Sequence, residues 1–178
     1  MSPAGLVVRA ANAADLPAIT AIYAHHVRHG LASFEEQPPD EDEMRRRWDD
    51  VVSRGLPWLV AVAAGRVCGY AYAAPYRLRS GYRYTLEDSI YVAPETHRRG
   101  VGRALLEALI ARCTALGYRQ IIAVIGDSAN VASIALHEGL GFRHAGVLPA
   151  TGYKFKRWVD CVLMQRELGE GAATPPAA

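Results

Sequence analysis

An α/β domain of mixed, α+β character is what the sequence predicts: a mostly antiparallel sheet of six to seven strands flanked by about four helices. Three observations carry that reading. Strand-like runs lie towards both ends of the chain with turn residues between them. In the middle, LEDSIYVAP, an apolar helix and RQIIAVIG follow one another, and strand, helix, strand implies a parallel pair joined by a right-handed crossover. The chain has 178 residues, 51% hydrophobic and 21% charged, which suits one domain with a sizeable core. That domain is expected over residues 1–168.

Each element has its own signal. GLVVRAA reads as an opening strand. Asn12 is placed to cap a helix whose apolar residues Leu16, Ile19, Ile22, Tyr23 and Val27 recur at helical spacing, ending near Gly30. Asp40, with Glu43 three residues on, predicts a capping box at the start of a second helix. Residues 57–75 read as a hairpin turning at Ala64-Gly65-Arg66. YRLRSGYRYT is a polar, aromatic loop or strand edge, and Pro94 stops the strand that follows it. A helix then shows Val101, Leu105, Leu106, Leu109, Cys113 and Leu116 on one face, with Gly117 placed to end it. RQIIAVIG, continuously apolar, predicts a strand buried on both faces. SANVASIALHEGLGF is a short helix, FRHAGVLPA and WVDCVLMQREL are closing strands, and the tail 169–178 is expected to be disordered.

Composition narrows the function. A formal net charge of +2 is too small to imply nucleic acid or a membrane surface as partner. No apolar run reaches the roughly 18 residues that span a bilayer, and MSPAGLVVRA does not read as a signal peptide. Cys68, Cys113 and Cys161 are far apart in apolar surroundings, as expected of reduced core thiols in a cytoplasmic protein. His25 and His29 are spaced i, i+4, but two ligands do not make a site, so no metal is expected.

The stretch ETHRRGVGRALL, beginning at Glu95, puts two glycines and three arginines where a helix begins. A helix N-terminus offers unpaired N–H groups and a positive dipole end, which suits phosphate. Gly100 and Gly102 would let the backbone approach an anion, with Arg98, Arg99 and Arg103 adding charge. A solvated basic turn is the alternative. The lysine-serine/threonine ending of an NTPase phosphate loop is absent, as is the third glycine of a dinucleotide fingerprint.

The run SIYVAPETHRRGVGRALLEAL, a buried strand and then N-x-x-S-x-x-L-H-E-x-L-G-F together resemble the GNAT superfamily of N-acetyltransferases over nearly the whole chain. The resemblance implies a GNAT fold with a central, splayed parallel strand pair, and acetyl-CoA as co-substrate. The cofactor's pyrophosphate would sit on the turn from His97 through Arg98, Arg99, Gly100, Val101 and Gly102 to Arg103. Its pantetheine arm would lie between splayed strands Asp88–Val92 and Gln120–Ile125, along Ile90, Tyr91 and Val92, with Asn130 and Ser133 on the next helix. His97 departs from the family's usual Gln or Arg. His137 stands where many relatives carry a tyrosine thought to protonate the departing thiolate; it would do that work, or simply pack beside the cofactor.

A narrower resemblance joins LASFEEQPP, the span from Pro57 to Val92, and GYKFKRWVDCVLMQREL to phosphinothricin and methionine sulfoximine acetyltransferases. It implies N-acetylation of the α-amine of a small amino acid by direct attack in a ternary complex. Glu87 aligns with the proposed base, its alternative being a strand-edge carboxylate paired with an arginine. Arg77 and Arg79 are candidates for the substrate carboxylate, with Tyr76 and Tyr82 as walls, or all four belong to a solvated loop. Phe34 and Glu35 would close over the substrate, and Lys154 would meet its polar head or face solvent. A homodimer is expected from relatives. The rivals are a GNAT enzyme for another amine (a protein N-terminus, an aminoglycoside, a polyamine) and a non-catalytic acetyl-CoA-binding module.

Overall fold

Seven strands among the described residues form one sheet in the order β1-β2-β3-β4-β5-β7-β6 in a computed structural model that describes residues 5–176. The strands are β1 (Val7–Ala10), β2 (Trp58–Ala63), β3 (Arg66–Pro75), β4 (Thr85–Val92), β5 (Gln120–Gly126), β6 (Arg143–Lys154) and β7 (Arg157–Glu167). The helices are α1 (Leu16–His29), α2 (Glu41–Ser53), α3 (Val101–Ala115) and α4 (Val131–Glu138). Residues 1–4, within the stretch read against a signal peptide, and 177–178, the end of the expected tail, lie outside the described residues. Every strand pairing is antiparallel except β4 with β5. No helix among the described residues is long and apolar enough to cross a membrane.

Local chemistry accounts for most boundaries. Asn12 caps, but what it caps is a short 3-10 turn, Ala13–Asp15; the Asp15 carboxylate accepts the Asn12 N–H and is held by Arg9. Only half of the expected box at Asp40 forms. The Asp40 carboxylate accepts from the Glu43 N–H at 2.8 Å, whereas the Glu43 side chain turns to Arg46 and Arg47. The β2–β3 turn puts Ala64 and Gly65 at positive φ, the geometry that follows strand twist. Gly117, at φ +84, stops α3. Leu116, expected on the core face of α3, is instead exposed at its end.

The helices cover both sheet faces. Tyr23 of α1 meets the Tyr91 ring edge-on at 5.0 Å, and Tyr91 lies against Tyr70. Val101 and Leu105 of α3 approach Gly69. Residues 69 and 70 point oppositely, so α1 and α3 lie on opposite faces. Val101, Leu105, Leu106, Leu109 and Cys113 are all buried there. β5 departs from its expectation: Ile121, Ala123 and Ile125 are buried, but Val124 is exposed, because β4 has parted from β5 beside it. The tail is described as far as Pro176, where the Arg119 guanidinium donates to the carbonyls of Gly171 and Pro175 and to Thr174.

Candidate active site

The parallel ladder between β4 and β5 runs from Thr85↔Gln120 to Asp88↔Ala123 and stops, although both strands continue. On its other edge β4 remains paired with β3 through Val92. The Thr85 carbonyl and the Ala93 N–H bond towards β3, so the backbone groups of Ile90 and Val92 point at the gap. The gap opens into a cleft of about 210 Å³ lined by residues 87–91, 123–126, Leu31, Ala32, Phe34, Asn130, Ser133, His137 and Cys161.

Beside it, α3 begins at Gly100, in the left-handed region at φ +75. The first intrahelical bond joins the Ala104 N–H to the Gly100 carbonyl. The amides of Val101, Gly102 and Arg103 thus precede the helix's own ladder and are free for an anion. Arg98 is also left-handed, at φ +60. Gly102 also serves packing. A Cβ there would sit 3.2 Å from Leu136 and 3.6 Å from Val92, so its bareness lets α3 pack on α4 and β4. Arg103 pairs with Glu107 at 2.9 Å. The Val92 carbonyl accepts from His26 at 2.9 Å and His97 at 3.2 Å. Asn130 caps α4, its side-chain oxygen accepting the Ser133 N–H at 3.2 Å, which leaves the amide NH₂ to donate.

Glu87 lies in the cleft wall on the α1 face and makes no ion pair or side-chain hydrogen bond among the described residues. Burial, and then the charge of Asp88, holds its carboxyl above the usual carboxylate range. It therefore has the stronger proton affinity that a base for an amine needs. The neighbouring carboxylate faces α3 and α4. Asp88 Oδ2 lies 3.0 Å from His137 Nε2, and His137 Nδ1 lies 2.7 Å from the Ser133 carbonyl oxygen. Both side chains are 2% exposed. With each ring nitrogen engaged, His137 has no free N–H to offer a sulfur. Of the two roles expected of His137, this geometry suits packing: the ring is a buried bridge between β4 and α4.

The loop between α1 and α2 roofs the cleft. Phe34 lines it and packs on Gly152, where a Cβ would lie 2.3 Å from the ring; Gly126 similarly leaves room for the Leu31 carbonyl, 2.1 Å from its would-be Cβ. Glu35 stays out of the lining. Its carboxylate accepts from the Tyr23 hydroxyl at 2.7 Å and from Arg47 at 2.7 Å, and burial pushes the Tyr23 phenol up to about 12. Lys154 neither enters the cleft nor faces solvent. It is 1% exposed, and its ammonium donates to the carbonyls of Gly30 at 3.0 Å and Ser33 at 2.7 Å.

Tyr76, Arg77, Arg79 and Tyr82 are not brought to the cleft. Arg77 lies over the rings of Tyr76 and Tyr82, at 5.2 and 5.7 Å, and Arg77 and Arg79 border a separate surface hollow with Arg54 and Arg83. Leu31, Ala32 and Cys161 line the cleft without having been singled out for it, Cys161 being expected only as a core thiol. Tyr72 and Tyr70, at a period-2 spacing along β3, stack with Trp58. No group of three or more potential metal ligands occurs among the described residues.

A mixed sheet splayed at one parallel pair, with bare amides at the following helix, is an arrangement that suits an acetyltransferase fold. The GNAT acetyltransferase family model matches residues 19–142, and the chain belongs to that family. It is 59% identical over 169 residues, 95% of this chain and 86% of the relative, to a phosphinothricin N-acetyltransferase of Alcaligenes faecalis. It is 41% identical, over 94% of this chain and 98% of the relative, to an L-methionine sulfoximine/L-methionine sulfone acetyltransferase of Pseudomonas aeruginosa. Among solved structures, a phosphinothricin acetyltransferase from Sinorhizobium meliloti in complex with acetyl-CoA superposes with a TM-score of 0.94 at 50% identity, covering 97% of this chain and 94% of the other.

Proposed function

We propose that the protein acetylates the α-amine of a small amino acid of the phosphinothricin, methionine sulfoximine or methionine sulfone type, with acetyl-CoA as co-substrate and direct attack in a ternary complex. The observation that carries this is Glu87: an unpaired, half-buried carboxylate of raised proton affinity in the wall of a gap where β4 and β5 no longer pair. The residues present fit the cofactor. The amides of Val101, Gly102 and Arg103 suit its diphosphate, and the backbone of Ile90 and Val92 suits its arm. Asn130 donates from the opposite wall.

Acetyl-CoA supplies an activated acetyl thioester when bound. The chain's part is to orient the amine and remove its proton. Glu87 takes that proton, directly or through one water, because an α-amine is largely protonated at neutral pH. Phe34 closes the roof over the reacting groups and excludes water. A homodimer in the cytoplasm is the proposed state. Its support is the edge strand β6 with Val147 and Leu148 exposed, and the aromatic surface formed by Tyr153, Phe155 and Trp158.

The test is a thiol-release assay with acetyl-CoA across L-phosphinothricin, L-methionine sulfoximine, L-methionine sulfone, ordinary amino acids and short peptides. Turnover is expected on the first three. Turnover of peptides alone would refute the substrate class.

A further inference from the structure

The protons of the Asp88–His137 pair can be counted from its geometry. A backbone carbonyl only accepts, so His137 Nδ1, 2.7 Å from the Ser133 oxygen, carries a hydrogen. A carboxylate oxygen 3.0 Å from Nε2 requires one more proton between the two. The pair thus holds one proton more than a neutral ring facing a bare carboxylate. If that proton leaves, Nε2 faces Asp88 with lone pairs on both atoms, or Nδ1 faces the Ser133 carbonyl the same way and keeps only the longer contact, 3.5 Å, from the Ser133 hydroxyl. Either way one of two buried hydrogen bonds is lost.

The pair's place in the fold gives that loss a consequence. Asp88 is the last β4 residue paired with β5, at the apex of the splay. Ser133, one turn before His137 on α4, lines the cleft with Asn130. We infer that Asp88 is a positioning residue for the cofactor: through one proton shared with His137 it holds α4 against the apex, and acetyl-CoA binds tightly only while that proton is in place. This rests on the acetyl-CoA reading above.

Other charged groups surround the ring without replacing Asp88. On β4, Glu87 faces the opposite side of the sheet. From α3 comes the buried Cys113 thiol, pushed up to about 12 by burial and therefore neutral, while Arg103 lies near Gly139 and pairs with Glu107. On α4 itself, Glu138 pairs with His144, and Phe142 meets the imidazole edge-on at 4.9 Å. Burial opposes charging the ring, but the Asp88 hydrogen bond and charge outweigh it, so the ring's proton affinity lies above that of an ordinary histidine. The clamp is therefore intact below that raised pKa and lost as pH rises through it.

The experiment is calorimetric titration of the protein with coenzyme A from pH 6 to 9, with the His137 titration followed by NMR. Wild type is expected to lose affinity by about tenfold as the ring deprotonates. In Asp88→Asn the side-chain amide donates to a neutral Nε2, so neutral-pH affinity is retained and the alkaline loss disappears. Coenzyme A's own phosphate and thiol titrate identically against both proteins. Asp88→Ala, which removes the partner, should weaken binding at every pH. Parallel profiles for wild type and Asp88→Asn would overturn the inference, as would wild-type affinity in Asp88→Ala. Should Asp88→Ala fail to fold, the Asp88→Asn comparison decides alone. Wild type without coenzyme A affinity at any pH would instead sink the proposed function.

Discussion

Glu87 and Asp88 are neighbours in the chain and lie on opposite faces of the sheet, and their surroundings differ accordingly. Glu87 has no partner, lines the cleft, and is held above the usual carboxylate range by burial. Asp88 is 2% exposed and bound to His137. The difference teaches how one strand serves both halves of a bisubstrate site. Alternation sends odd residues to the α1 face, where the proposed base lies, and even ones to the α3 face, beside the helix proposed to hold the cofactor. The carboxylate left unpaired is available for chemistry; the paired one ties β4 to α4.

The largest expected effect separates the two faces. Glu87→Gln should lower kcat by about 10²–10⁴-fold while leaving the coenzyme A dissociation constant within about twofold by calorimetry. Comparable loss of both would merge the roles. The acid limb of kcat/KM sharpens the same contrast. The base must be ionised, and its pKa is raised, so activity should fall about tenfold per pH unit below a midpoint higher than an ordinary glutamate's. A pH–rate profile of Glu87→Gln should lack that limb.

Lys154 tests how far the α1 face depends on its roof. Lys154→Met strands the carbonyls of Gly30 and Ser33 and is expected to cost about 1–3 kcal/mol, read by denaturant unfolding. The KM for the amino acid should rise more than that for acetyl-CoA. The smallest effect is expected at the surface loop: Arg77→Ala should change the KM for the amino acid by less than about threefold, since its guanidinium sits on Tyr76 and Tyr82 outside the cleft. A tenfold rise in steady-state kinetics would return that loop to the site.

Much of the fold was legible because its signals are local. Gly117, Pro94, the Ala64-Gly65 turn and, Leu116 apart, the apolar stripe of α3 are each set by a residue's own conformational or burial preference, and the structure uses them as read. The turn from His97 to Arg103 was legible for the same reason. What was not legible depends on residues that meet only after folding. Asp88 and His137 are 49 residues apart, so nothing local shows that the histidine's nitrogens are both occupied. Lys154 reads in the sequence as meeting the substrate's polar head or facing solvent, and it does neither; β6 is exposed up to Thr151, and the burial of Lys154 comes from a loop that begins at Gly30. Arg77 and Arg79 had the right chemistry for a carboxylate, yet side-chain chemistry alone does not place them beside Glu87.

The most direct measurement is a crystal structure with coenzyme A and L-methionine sulfone bound together. The amine nitrogen is expected on the α1 face of β4, within hydrogen-bonding reach of the Glu87 carboxylate directly or through one water. An amine found on the α3 face beside His137, with Glu87 turned away, would contradict it.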